Sequence, residues 1–209
     1  MQRFWPVVSS VMVVVALVLA TPVMVRANSQ TVVFGAGFGG YNFSGLDDLR
    51  KASPGFGLDM DMDIGLQSQA YLEWYALGSL GFGLRSVNVV STQSGHILAF
   101  YYQQTVRVKS TLITVNWVPI GADSYARLGL LAGVGGAEYE LTLSSGSSSN
   151  ATSTSGTANL LGAYLDWGAE DFGARLGVNA LKTKFDNLNN AQVDGSGNGF
   201  YLDLRWAWN

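Results

Sequence analysis

Taken two residues at a time, the last stretch of the chain separates into two unlike rows. Phe200, Leu202, Leu204, Trp206 and Trp208 share one parity, and Tyr201, Asp203, Arg205 and Ala207 share the other. Period 2 is the repeat of a β-strand, whose successive side chains point to opposite faces. One face is apolar and aromatic throughout, while the other carries an acid and a base. A water-soluble sheet turns such charges to solvent. A transmembrane barrel turns the apolar face to lipid and must satisfy the charges inside.

Seven earlier segments repeat this design. The first covers Thr31–Phe43, and the second covers residues 58–76. In the second, Leu58, Met60, Met62, Ile64, Leu66, Ala70, Leu72 and Trp74 fall on one face. Asp59, Asp61, Asp63, Gln67, Gln69, Tyr71, Glu73 and Tyr75 fall on the other. Further segments cover residues 80–91, 98–118, 126–143, 157–167, 172–184 and 199–208. The apolar face of the fifth changes parity at Gly135-Gly136, which predicts a β-bulge there. The parity of the third and fourth is ambiguous. The pattern predicts an all-β fold, an eight-stranded antiparallel up-and-down transmembrane β-barrel.

The connections alternate in length. Residues 77–79, 121–125 and 168–171 are short links, whereas 44–57, 92–97, 144–156 and 186–198 are longer and polar. Outer-membrane barrels have short periplasmic turns and longer external loops. Three tryptophans, Trp74, Trp117 and Trp167, stand just before the short turns, and Trp206 and Trp208 lie at the C-terminus. All five then belong to one interface, as a periplasmic aromatic girdle.

The N-terminus adds a targeting expectation. Arg3 precedes an apolar run over residues 11–20, with small-residue cleavage sites at Ala20 and Ala27. Cleavage at Ala27 makes residues 1–27 a signal peptide and residues 28–209 the barrel domain. It removes two of the 12 basic residues, Arg3 and Arg26, and none of the 15 acidic ones, so a formal charge of −3 becomes −5. That balance argues against a nucleic-acid partner. Cysteine is absent, which excludes disulfides and thiolate metal sites, and a single His makes a zinc site improbable.

Signal peptide, eight strands, turn asymmetry and the aromatic final strand together resemble the small eight-stranded outer-membrane proteins, among them the OmpA transmembrane domain, OmpX and OmpW. The resemblance is architectural and covers residues 31–208. It implies export to the outer membrane of a Gram-negative-type bacterium, insertion by the barrel assembly machinery, and contact with outer-membrane lipid and lipopolysaccharide. The usual last residue of the group is aromatic, whereas Asn209 follows Trp208 here; Trp206 and Trp208 keep the alternation.

Three motifs raise chemistry. Gly35, Gly37 and Gly40 fit G-x-G-x-x-G after a strand, with Asp59 near the place of a ribose-binding acid. That site needs a helix opening at the third glycine to hold a pyrophosphate, and strand-like Tyr41-Asn42-Phe43 follows instead. The better reading puts Gly35, Gly37 and Gly39 on the inward face, making room for long side chains opposite. Asp59, Asp61 and Asp63 open like a calcium loop, but Ile64 and Ala70 stand where that loop needs Gly and Glu. They read as an acidic mouth, able to pair with Arg107 and Lys109 if those face inward. His96, two residues after Ser94, lacks the second His or organised carboxylate of a hydrolase site. No catalytic, cofactor-binding or metal site is implied, and no cofactor.

The inward face is the stronger functional clue. Alternation places Glu73, Arg85, Asp166, Arg175, Asp203 and Arg205 inside, three acids with three bases. An eight-stranded barrel is only wide enough for side chains to fill it, so these charges, with Tyr71, Tyr75, Tyr201 and Asn179, predict a packed polar plug. The leading expectation is a non-enzymatic structural or surface-interaction barrel with an unidentified external ligand. The alternative is a narrow conduit for small hydrophobic or amphipathic molecules, with Met60 and Met62 at a lateral exit. A lipid-modifying enzyme stands third.

Overall fold

In the computed structural model the described residues are 31–44, 64–76, 78–97, 100–120, 125–145, 148–169, 171–185 and 194–208. The signal segment, the acidic mouth Asp59, Asp61 and Asp63, and Met60 and Met62 lie outside them. Eight strands follow one another: β1 (Thr31–Phe43), β2 (Ile64–Tyr75), β3 (Leu80–Ile97), β4 (Phe100–Ile120), β5 (Ala126–Ser145), β6 (Ser148–Gly168), β7 (Phe172–Phe185) and β8 (Gly197–Trp208). Each pairs antiparallel with its sequence neighbour, and β1 pairs with β8 from Val32↔Trp208 to Phe43↔Gly197, closing the barrel. This is the eight-stranded up-and-down transmembrane barrel. Closure removes the sheet edges within the belt, which a backbone in hydrocarbon requires.

The outward face of the lower barrel is an apolar belt. Phe34, Phe38, Leu72, Phe82, Ile113, Leu128, Leu165, Leu176 and Leu202 are all well exposed. On β8 the belt runs from Phe200 to Trp208, alternating without a break with buried Tyr201, Asp203, Arg205 and Ala207. Two short turns use glycine in the left-handed region, Gly78 (φ 64°) and Gly168 (φ 129°), a conformation that costs a side chain strain.

Above the belt the two faces exchange chemistry. Outward positions on β4 and β5 become Arg107, Lys109, Glu138 and Glu140, whereas inward positions become Val106, Val108, Tyr139 and Leu141, each at most 7% exposed. The inward residues of β5 keep odd parity from Gly129 to Leu141. Its pairing with β4 is continuous through Gly135↔Leu112 and Gly136↔Thr111. No bulge stands at Gly135-Gly136: the apolar residues change sides because the surrounding medium changes, not because the strand slips. The register shift instead falls between Trp117 and Ile120 of β4, where Pro119 has no N–H to donate to the ladder.

The hairpins at this end are also longer than the hydrophobic pattern predicts. Strand β3 continues to Ile97, and β5 and β6 pair out to Ser145↔Ser148. Much of the expected loop 144–156 is therefore strand. It is Ser- and Thr-rich on both faces, so it carries no apolar period to mark it.

Inward tyrosines sit across from inward glycines: Tyr71 from Gly35, Tyr75 from Gly81, Tyr164 from Gly129 and Tyr201 from Gly177. A methyl group on Gly35 would overlap the Tyr71 ring, whereas one on outward Gly136 would meet only the Gly156 carbonyl at 4.0 Å. Gly35→Ala is expected to destabilise the barrel by about 1–3 kcal/mol through overpacking. Gly136→Ala is expected to be neutral or to stabilise by up to about 1 kcal/mol, by relieving the cost of glycine in a strand. Urea titration in lipid vesicles, read by the gel-mobility difference between folded and unfolded barrel, compares the two.

Candidate functional site

Strand alternation sends a polar set into the lower interior from β2, β3, β6, β7 and β8. Glu73, Arg85, Asp166, Arg175, Asp203 and Arg205 are all at most 3% exposed. Glu73 is the hub. Its Oε1 accepts from Arg85 Nη2 at 3.0 Å and Arg175 Nη1 at 2.8 Å. Its Oε2 accepts from Arg175 Nη2 at 3.0 Å and the Tyr75 hydroxyl at 3.1 Å. Four donors fill the lone-pair sites of one carboxylate, the condition under which a buried anion is tolerated.

Arg175 serves two acids at once. Besides the fork to Glu73, Nε donates to Asp166 Oδ1 at 2.6 Å and Nη2 to Asp166 Oδ2 at 3.1 Å. Its guanidinium carbon lies 3.8 Å from the Tyr164 ring centroid and 4.5 Å from that of Tyr71, so aromatic faces cover the charge from two directions. Arg85 stacks on the other side of this cluster, 4.4 Å from Tyr71. Lysine could not replace Arg175, because only the planar guanidinium makes two bonds to each of two acids.

The remaining two charges are held differently. Asp203 makes no ion pair among the described residues; Gln69 Nε2 donates to both its oxygens, at 2.9 and 2.7 Å, and Gln69 Oε1 accepts from Arg85 at 3.1 Å. Arg205 reaches Asp166 only at 3.8 Å and donates to the Ala169 carbonyl at 3.2 Å. Several buried polar atoms, among them Arg205 Nη1 and the Tyr71 hydroxyl, have no protein partner; in folded proteins ordered water satisfies such groups.

Two participants lie outside the charge set that the alternation predicts, although Gln69 is on its inward face. Gln69 bridges Asp203 to Arg85, although its amide carries no charge to flag it. Arg127 points inward opposite Asp166 in the β5–β6 ladder, so among the described strand residues the interior holds four bases to three acids. The odd parity that Arg127 shares with Gly129 and Leu131 was its signal. Arg107 and Lys109, in contrast, point outward: Arg107 pairs with Glu140 at 3.5 Å, and Lys109 with Glu140 at 3.5 Å and Glu138 at 4.0 Å. An inward pairing with the acidic mouth is thereby excluded.

Apolar layers bound the charged one. Toward the long-loop end, Tyr41, Phe43, Val87, Val89, Val106, Val108, Tyr139, Leu141, Leu181 and Phe185 belong to one buried cluster, which reaches down to Tyr164 and Tyr201 beside the charges. Gly195 folds in against Val108 and Phe185, its N–H donating to Thr183 Oγ1 at 3.0 Å and its carbonyl accepting from the Tyr41 hydroxyl at 3.1 Å. Toward the short-turn end, Val33, Tyr71, Tyr75, Val118 and Ala207 form a smaller cluster.

The five tryptophans all stand at the short-turn end on the outer face, with Trp74, Trp206 and Trp208 36–58% exposed and Trp117 and Trp167 half-buried. Trp206 packs between Phe34 and Phe172, at ring-centroid distances of 6.0 and 5.5 Å. The glycine motif Gly35–Gly40 is continuous strand, with Tyr71 lying over Gly35. His96 pairs with Tyr101 at the tip of β3, and its side chain is not among those described.

An eight-stranded up-and-down barrel with an apolar outer belt is the fold of the small outer-membrane barrels. Three solved structures share that fold. The chain is similar to Neisserial surface protein A, NspA (TM-score 0.55, 8% identity, covering 86% of this chain and 99% of that one). It is also similar to Ail, the attachment invasion locus protein of Yersinia pestis, in complex with the heparin analogue sucrose octasulfate (TM-score 0.53, 10% identity, 87% and 100%). A third is the outer membrane protein OprG of Pseudomonas aeruginosa (TM-score 0.51, 12% identity, 87% and 97%). At these identities the shared property is the fold. No protein-family model and no curated sequence matches the chain.

The network and the outer-face pairs predict unlike costs for the same change. Glu73→Gln leaves two buried guanidinium groups short of an anion and is expected to cost about 3–5 kcal/mol. Glu140→Gln, on the solvated outer face, is expected to cost at most about 1 kcal/mol. Parallel urea titrations of the two variants measure the difference.

Proposed function

We propose that this chain is a non-enzymatic outer-membrane barrel with a closed interior, serving as a structural and surface-interaction element of a Gram-negative-type envelope. One observation carries the reading. The charged layer around Glu73 and Arg175 lies between two apolar clusters, one at each end of the barrel. Ions entering from either side would have to shed water against Tyr139, Phe185 and Val108, or against Val33, Val118 and Ala207. The buried carboxylates also lack a catalytic role: Glu73 and Asp203 have both oxygens occupied by donors, which leaves neither as a free base.

The surface role is supported by how the strands end. Strands β3 to β6 run 18–21 residues, against about 9–11 needed to cross a membrane. The excess stands clear of the bilayer as a polar sheet with Arg107, Lys109, Glu138 and Glu140 on its outer face. Ail, a barrel of the same fold, has been solved in complex with the heparin analogue sucrose octasulfate, which supports a ligand-binding role. Lipopolysaccharide and the assembly machinery are the partners such a barrel meets in its membrane.

Planar-bilayer recording tests the closed interior. The folded chain is expected to show no steady conductance, and Tyr139→Ala combined with Phe185→Ala is expected to produce discrete openings by thinning the upper apolar layer. Steady, sizeable channels from the unaltered protein would overturn the reading.

A further inference from the structure

The lipid-facing surface is not evenly filled. A groove of about 780 Å³ lies over β6, β7, β8 and β1 near the upper edge of the belt. Its position follows from two successive rungs of the sheet. One rung joins Asn42, Asn198, Ala180 and Leu161, and the next joins Gly40, Phe200, Val178 and Ala163. Ala163 and Ala180 keep the floor low, while the Phe200 ring lies over Gly40. Leu161, Val178 and Phe200, 53–61% exposed, stand as walls. A recess in hydrocarbon is filled by hydrocarbon, since water there would lack partners.

The upper end of the groove changes character. Asn42 and Asn198 face outward as a directly opposed pair. The next outward residue of β7 is Lys182, paired with Asn159, and the one after is Lys184, paired with Thr157. Lys182 makes no ion pair among the described residues, whereas Arg107 and Lys109 on β4 are met by Glu138 and Glu140. In a chain of net negative charge, two lysines directly above an apolar trough favour an anion carrying a hydrocarbon tail. A neutral lipid has no use for the lysines, and a free phosphate has none for the trough.

We propose that this groove seats one phosphate-bearing, acylated lipid of the outer leaflet. An acyl chain lies along Ala163 and Ala180 beside the Phe200 ring, the phosphate meets Lys182 and Lys184, and Asn42 and Asn198 hydrogen-bond the headgroup. The assignment rests on reading the chain as an outer-membrane barrel and names one of its partners.

Native mass spectrometry of the folded full chain in micelles, titrated with bis-phosphorylated lipid A, tests it. One lipid per barrel is expected, and dephosphorylated lipid A and the tail-free glucosamine phosphate should each bind at least about tenfold more weakly, the separation that marks a specific contact. Lys182→Gln with Lys184→Gln should weaken binding about thirtyfold, as two cations at an anionic lipid surface contribute. Ala180→Trp fills the trough from the lipid side and should abolish retention with both lysines present. Arg107→Gln with Lys109→Gln should leave binding unchanged. Equal retention of the dephosphorylated lipid, undiminished binding by Ala180→Trp, or an equal loss in the Arg107/Lys109 pair would overturn the site. Gel mobility certifies that each variant is folded. Conductance of the same samples reports on the closed interior separately, so the lipid site can fail while that reading stands.

Discussion

A strand that leaves hydrocarbon for water must change its outer side chains at the level where the medium changes, and every other feature of this barrel depends on that constraint. Within the belt, the outward positions of β5 are Leu128, Leu130 and Val134, and beyond it they are Glu138 and Glu140. The inward positions run the other way, from Arg127 and Gly129 to Tyr139 and Leu141. Register is preserved through the change because a slip of one residue would put every side chain on the wrong face at once. The barrel therefore behaves as two stacked proteins on one set of strands. The lower has a polar interior in an apolar medium, and the upper has an apolar core in water.

The charges of the lower half lie inside, since its outside belongs to lipid. It does so by saturation. Glu73 accepts four hydrogen bonds, Arg175 forks to two acids, and tyrosine rings cover the guanidinium faces. The rings fit because a glycine lies across the ladder from each. An apolar filling of equal volume is often as stable as a buried ion network, so these bonds offset the cost of burying charge more than they add net stability. The upper half has no such burden and packs as an ordinary core.

Much of this was legible in the chain. Strand number, order, the belt and the turn asymmetry follow from alternation so strong on β2, β7 and β8 that little else fits. Where the reading failed, the exchange of faces explains most of it. The apparent parity change at Gly135-Gly136 was the membrane surface seen in sequence, and the ambiguity of β3 and β4 has the same origin. Arg107 and Lys109 face outward for this reason too. The β5–β6 extension was hidden because Ser and Thr on both faces carry no apolar period. Arg127 was obscured by the supposed bulge, and Gln69 by its lack of charge.

The exchange of faces without loss of register can be measured directly, since the chain contains no cysteine and a single introduced one gives a unique label. Spin labels placed one at a time from residue 128 to 142 of β5 would be read for oxygen and for water-soluble quencher access in bilayers. Even positions should contact lipid up to Val134 and water from Glu138 onward, while odd positions stay shielded from both throughout. A shift of the protected parity at Gly135-Gly136, or water access at Tyr139 from the external side, would contradict the account.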